Sequence, residues 1–206
     1  MKPIIFAALL SAFALAQTKP AAKAAGSGPN PVATIQTTAG NFTCDLFKDK
    51  APITVDNFIG LATGTKDWIN PASGAKKHGV PLYDGLIFHR VIPGFMIQGG
   101  DPMGNGAGDA GFTIPDEFRS DLSFDRPGRL AMANEQRPHT GSSQFFITEA
   151  ATPHLNGRHT IFGQCEPVGL VRQISHVSRD LSTDKPLRPV RITHIDIKQT
   201  GGAPAK

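Results

Sequence analysis

Residues 82–101, LYDGLIFHRVIPGFMIQGGD, constrain this chain more than any other stretch. Residues 86–92 are dense in β-branched and aromatic side chains, which predicts a strand. The period of two sets Phe88, Arg90 and Ile92 on one face and Ile87, His89 and Val91 on the other, with His89 directed inward. An arginine on an otherwise apolar face needs a use, because a buried cation without partners is costly. Pro93-Gly94 turns the chain, and Phe95, Met96 and Gln98 follow on a second short extended segment. The product is one fixed cation beside phenylalanine, methionine and an amide: a small apolar pocket with a polar clamp.

The rest of the chain is read around that stretch. Its 206 residues suffice for one domain with a core plus appendages. The formal charge is +4 and the pI about 9.2, yet no run of Lys and Arg exceeds two residues. Nucleic-acid binding calls for a concentrated basic stripe with interleaved aromatics, so that class is set aside. Residues 1–16 read as a signal peptide: Lys2 supplies the charge, residues 4–16 are apolar or small, and Ala14-Leu15-Ala16 fits a cleavage site. The run is too short for a permanent span, and no cysteine offers a lipid site near it, so no stable membrane anchor is expected. Export to a periplasm or the medium is therefore expected. Residues 17–31 form an Ala/Pro/Gly/Lys linker and residues 200–206 a frayed tail, leaving 32–199 as the folded, monomeric unit.

Within that unit, residues 32–47 predict a hairpin turning at Ala39-Gly40-Asn41. Pro52 opens a helix with Val55, Phe58, Ile59 and Ala62 on one side, and Gly64 ends it. Residues 65–81 read as a long surface loop. Residues 130–134, 143–148, 160–162 and 190–197 predict further strands, the last with a bulge near His194, and 168–177 a second helix. Gly106-Ala-Gly108-Asp-Ala-Gly111 satisfies GxGxxG but opens no helix, so it reads as a loop. Many short strands with two helices predict a mainly β fold, a closed barrel capped by helices.

The segment FHRVIPGFMIQGGD, residues 88–101, closely resembles the signature of the cyclophilin family of peptidyl-prolyl cis-trans isomerases. Residues 51–58 (APITVDNF), 130–134 (LAMAN), 141–147 (GSSQFFI) and 155–163 (LNGRHTIFG) extend the resemblance in family order over most of the chain. The resemblance implies a closed eight-stranded antiparallel barrel with a helix at each end. It also implies a site on the outer face: Arg90, Phe95, Met96, Gln98, Ala133, Asn134, Gln144, Phe146, Leu155 and His159, with His154 at the rim. Of these, Arg90, Gln98, Phe95, Asn134 and His159 are the expected catalytic set, acting on proline-containing polypeptides with no cofactor or metal. Each also has an ordinary reading: Arg90 as a surface ion pair, Phe95, Met96 and Phe146 as core, Gln98 and Gln144 as turn partners, and His159 as a packed histidine.

His154 departs from the family pattern, standing where many members carry a tryptophan that matters for cyclosporin, so weak cyclosporin binding is expected. Cys44 and Cys165 are the only cysteines; the resemblance makes their strands neighbours and implies a disulfide, with two buried thiols as the alternative. No cysteine–histidine spacing suits zinc. Two other classes compete with an isomerase. A non-catalytic module gripping proline segments would tolerate loss of Arg90 or Gln98, and both are present. A hydrolase would need a nucleophile elbow or HExxH, and neither occurs.

Overall fold

A computed structural model describes residues 30–199; the expected signal peptide, all but the end of the linker, and the tail lie outside these residues. Strands β1 (Val32–Thr37) and β2 (Gly40–Leu46) form the hairpin, turning at Thr38-Ala39, one residue earlier than expected. Helix α1 (Pro52–Thr63) follows, then a small ribbon of β3 (Trp68–Ile69) and β4 (Lys76–Lys77) within the expected loop. Next come β5 (Arg90–Ile92), β6 (Met96–Gly99), β7 (Arg129–Met132) and β8 (Phe145–Thr148). A single 3₁₀ turn (Pro153–Leu155), β9 (Ile161–Glu166), helix α2 (Val168–Ser175) and β10 (Ile192–Lys198) complete the chain. Among the described residues no helix is long and apolar enough to cross a membrane.

Eight strands make one antiparallel sheet in the order β10-β1-β2-β9-β7-β8-β6-β5. The expected closure is corrected here: the sheet is an open half-barrel, because its edge strands share no ladder. Only the segments preceding them meet, at an isolated bridge of Ile87 with Arg191, flanked by Phe88 N–H to Val190 O (3.0 Å) and Ile192 N–H to Leu86 O (2.7 Å). The cause is local. β5 is three residues long, and its Val91 N–H goes to Asp184 O at 2.9 Å, so a loop occupies the edge that β10 would have needed. The predicted parity holds from His89 to Ile92 and fails before it, at Ile87 and Phe88. Strand geometry begins only at Arg90, so Phe88, His89 and Val91 all point inward while Arg90 stays half-exposed. The bulge near His194 is present: Gln36 pairs with His194 but Thr37 with Ile192.

Each side of the sheet buries its own cluster. Inside, Phe58 of α1 meets Tyr83, Phe145 and Phe162 at ring separations of 5.2–5.5 Å, within the range of favourable aromatic pairs. Tyr83 is fully buried, and its hydroxyl donates to Ser143 O at 3.0 Å. The helix carrying Phe58 stops at Gly64, whose φ of +74° suits glycine and whose Cβ would strike Val80 backbone at 2.8 Å. Its other end has no side-chain cap of its own. Glu117, from a distant loop, accepts Ile53 N–H, Thr54 N–H and the Thr54 hydroxyl, placing a carboxylate on unpaired first-turn donors. Outside, Met96, Phe124, Ala131, Phe146 and Ile161 form a second cluster, with Phe95, Ala133 and Leu155 packed against it.

Cys44 and Cys165 occupy one cross-strand pair of β2 and β9, with Cα atoms 4.0 Å apart, and are disulfide-bonded. The bridge closes a chain segment spanning 121 positions, so it restrains the unfolded ensemble strongly. Reduction is expected to lower unfolding stability by about 2–4 kcal/mol, seen as an earlier guanidinium midpoint when dithiothreitol is present. Coincident midpoints would show that the bridge adds no stability.

Candidate active site

Register places the pivotal residues side by side. Arg90 of β5 pairs with Gln98 of β6, Gln98 pairs with Phe146 of β8, and Phe146 pairs with Ala131 of β7. One row across the outer face therefore runs cation, amide, aromatic, methyl. Beside it opens a groove of about 550 Å³, lined by Arg90, Phe95, Met96, Gln98, Ala133, Asn134, Phe146, Leu155 and His159. Gln144 and His154 stand outside this lining. Gln144 lies behind it, accepting from Gln98 Nε2 (2.9 Å) and donating to the carbonyls of Gly106 and Gly108 (3.0 and 2.8 Å). His154 sits exposed on the 3₁₀ turn, its ring 5.7 Å from that of Phe95.

The end of β6 explains how this layer comes so close. Gly100 has φ +84°, and a Cβ there would meet Ser143 O at 2.4 Å, so only glycine permits the approach. Asp101, fully buried, then accepts the N–H groups of Met103, Asn105 and Gly106 and curls the glycine-rich loop behind Gln144.

Arg90 is held but not neutralised by close pairing. Its Nη1 donates to Gln98 Oε1 at 3.4 Å, and its Nε lies 3.8 Å from Asp184 Oδ2. Asp184 is itself engaged by Arg179 Nε at 3.1 Å. The remaining guanidinium donors of Arg90 meet no other protein acceptor among the described residues. Asn134 has its side chain pinned, Nδ2 donating to Arg158 O at 2.8 Å and Oδ1 accepting Gln136 N–H at 3.1 Å. Among the described residues its own backbone N–H and C=O have no partner, which leaves them available to an extended peptide.

His159 Nδ1 lies 3.0 Å from Met132 O. A carbonyl only accepts, so Nδ1 carries the proton and Nε2 holds the lone pair. Burial pushes this imidazole below its ordinary value, against opposing effects of the Met132 carbonyl and Asp116, which keeps it neutral near pH 7. The ring meets Phe146 edge-on at 5.2 Å.

The far end of the groove was not foreseen. Asp116, Phe118, Gln136, Arg137 and Pro138 line it from polar loops without periodicity or motif, together with Gly157 and Arg158, which lie in the 155–163 segment but were not singled out there. Asp184, which steadies Arg90, was also missed, since only tertiary folding brings its loop to β5.

The sequence pattern described as cyclophilin type peptidyl-prolyl cis-trans isomerase/CLD matches residues 32–197. A probable peptidyl-prolyl cis-trans isomerase A of Mycobacterium bovis is 51% identical over 168 residues, 80% of this chain and 91% of that one. Peptidyl-prolyl cis-trans isomerase B of Streptomyces anulatus is 46% identical over 169 residues, covering 81% of this chain and 95% of that protein. Among solved structures, a Cryptosporidium parvum cyclophilin-type isomerase crystallised in the presence of the dipeptide Ala-Pro superposes with a TM-score of 0.69 at 34% identity. That likeness covers 81% of this chain and 98% of the other. The chain belongs to the cyclophilin-type peptidyl-prolyl cis-trans isomerases, and its activity is cis-trans isomerisation of bonds preceding proline.

His89, beneath the site, carries a pH consequence. It is 4% exposed, and among the described residues neither ring nitrogen has a hydrogen-bond partner. Burial pushes its pKa below the ordinary 6.5, with Asp101 opposing and Arg90 and Lys185 reinforcing. The unfolded chain therefore binds a proton near 6.5 that the folded chain refuses, so stability is full above that pH and falls as pH drops through the lowered value. Urea midpoints measured from about pH 7.5 down to about pH 5 should decline, and His89→Leu should flatten the slope. A slope unchanged in the variant would assign it to other groups.

Proposed function

We propose that the groove isomerises X-Pro bonds in unfolded or extended polypeptides without covalent or metal chemistry, and that Arg90 stabilises the twisted amide. The amide barrier is about 18–20 kcal/mol because nitrogen shares its lone pair with the carbonyl. Uncatalysed exchange consequently takes tens to hundreds of seconds. Turnover on the order of 10³ per second needs about 7 kcal/mol removed from that barrier. Selective binding of the twisted state can supply this, so no nucleophile is called for.

In this reading Phe95, Met96, Phe146 and Leu155 cup the proline ring, with Ala133 and His159 closing its side. The Asn134 backbone groups and the Gln98 side chain hold the flanking peptide. Twisting makes the proline nitrogen pyramidal and restores its lone pair, to which an Arg90 N–H donates. The planar ground state offers no such acceptor, so the bond is made only near the transition state. The single observation that carries the proposal is the Arg90–Gln98–Phe146 row, which sets a cation with free donors beside an apolar cup.

We further propose that the protein acts outside the cytoplasm. The apolar leader of residues 4–16 and the disulfide in the sheet support an oxidising destination. His154, a smaller and more polar ring than tryptophan at the rim, supports weak cyclosporin binding.

Cis-trans exchange in a short Ala-Pro peptide, followed by NMR without a coupling protease, tests the mechanism. Arg90→Ala is expected to lower kcat/KM by roughly 10²–10³-fold while the peptide still binds. Exchange no faster than in buffer, with binding retained in the unaltered protein, would reduce the site to a proline-gripping module. In the same assay, inhibition by cyclosporin as strong as in tryptophan-bearing relatives would contradict the role given to His154.

A further inference from the structure

Phe95 stands in the groove, yet the turn that delivers it is barely packed. Pro93-Gly94 is closed by one internal bond, Phe95 N–H to Ile92 O at 3.1 Å. A Cβ built on Gly94 meets nothing within 4 Å, so neighbouring atoms do not wedge this side of the turn. Glu149, the residue after β8, grips it instead. Its backbone N–H donates to Phe95 O at 2.8 Å, and its Oε2 accepts Gly94 N–H at 2.7 Å. The same carboxylate takes the Ser175 hydroxyl at 2.6 Å and His176 Nε2 at 3.0 Å, both at the end of α2. Its side chain is 9% exposed. Burial pushes this carboxyl upward, but hydrogen bonds from Ser175, Gly94 and His176 together carry it below the ordinary carboxylate range. An ionised acceptor makes the stronger bond to a backbone N–H.

We infer that Glu149 is a positioning residue, which clamps the Pro93-Gly94 turn to the ends of β8 and α2 and thereby sets where Phe95 stands in the proline cup. The inference rests on the reading of Phe95 as a wall of that cup. Glu149 reaches no part of the groove itself, so its effect passes through Phe95. The cup grips the proline ring in both planar and twisted amides, and loosening it weakens both states alike. The signature is therefore a raised KM with kcat kept, which a general loss of folded protein would not produce.

The experiment measures KM and kcat by NMR exchange with an Ala-Pro peptide for four variants. Phe95→Ala is the control and should raise KM. Glu149→Ala should raise KM roughly five- to tenfold with kcat within about twofold. Glu149→Gln, which keeps an acceptor for Gly94 N–H, should recover most of the loss. Should Glu149→Ala not fold, Glu149→Asp carries the test: it keeps the charge but falls one methylene short of Gly94, and the same rise in KM is expected. If Phe95→Ala raises KM while Glu149→Ala or Glu149→Asp leaves it unchanged, Glu149 has no positioning role. An unchanged KM in Phe95→Ala overturns the cup reading and this inference with it.

Discussion

The register of four neighbouring strands is the constraint on which the site depends. Side chains in a strand alternate faces, so Arg90, Gln98, Phe146 and Ala131 share one row only because β5, β6, β8 and β7 pair in one alignment. A one-residue slip of β6 against β8 would send Gln98 to the core and bring Ile97, fully buried, to the surface. The same register buries Val91, Ile97, Ile147 and Leu130 beneath the row. Hydrophobic burial on one face thus fixes the functional alignment on the other. The open edge of the half-barrel tolerates a three-residue β5 because Val91 is hydrogen-bonded to the Asp184 loop and Phe88 to residue 190.

Electrostatics refines what register sets. Arg90 keeps a distant counter-charge in Asp184 and a long bond to Gln98, so it is oriented without being consumed by a tight salt bridge. A bidentate carboxylate would occupy the donors needed by the twisted amide nitrogen. Asp184 is meanwhile shared with Arg179, which spreads its charge over two guanidiniums. Neutral His159 adds shape and a lone pair to the groove rather than a second cation.

What the sequence disclosed follows from how far apart the cooperating residues lie. Arg90, Phe95, Met96 and Gln98 are contiguous, and their order is the strand-turn-strand that builds half the groove. Helix α1 was legible because Pro52, the spaced apolar residues and Gly64 are all local signals. Closure was overstated, since strand content says nothing of whether two edges share a ladder. Parity at Ile87 and Phe88 failed because periodicity assumes a continuous strand, and the backbone is irregular before Arg90. Glu117, Glu149 and Asp184 were illegible as partners. Each is one carboxylate with no motif of its own, and its role arises when folding sets it against backbone N–H groups or an arginine from elsewhere in the chain.

Two of those unforeseen residues, Asp184 and Glu149, share a purpose that bears on catalysis. An enzyme that works by binding a twisted amide better than a planar one must not relax to suit the planar form. Its polar and apolar walls therefore need support from behind. Here Gln98 is backed by Gln144 and the carbonyls of Gly106 and Gly108, Asn134 by Arg158 O, Phe146 by Phe124 stacked at 5.9 Å, and the Phe95 turn by Glu149. Each support is itself hydrogen-bonded or packed, so the walls move less readily than the peptide between them. Rotation is thereby left to the substrate, and the free donors of Arg90 wait at the place where the lone pair forms. With its walls held in this way, the site favours the twisted amide through Arg90, while the Phe95 cup fixed by Glu149 grips planar and twisted forms alike.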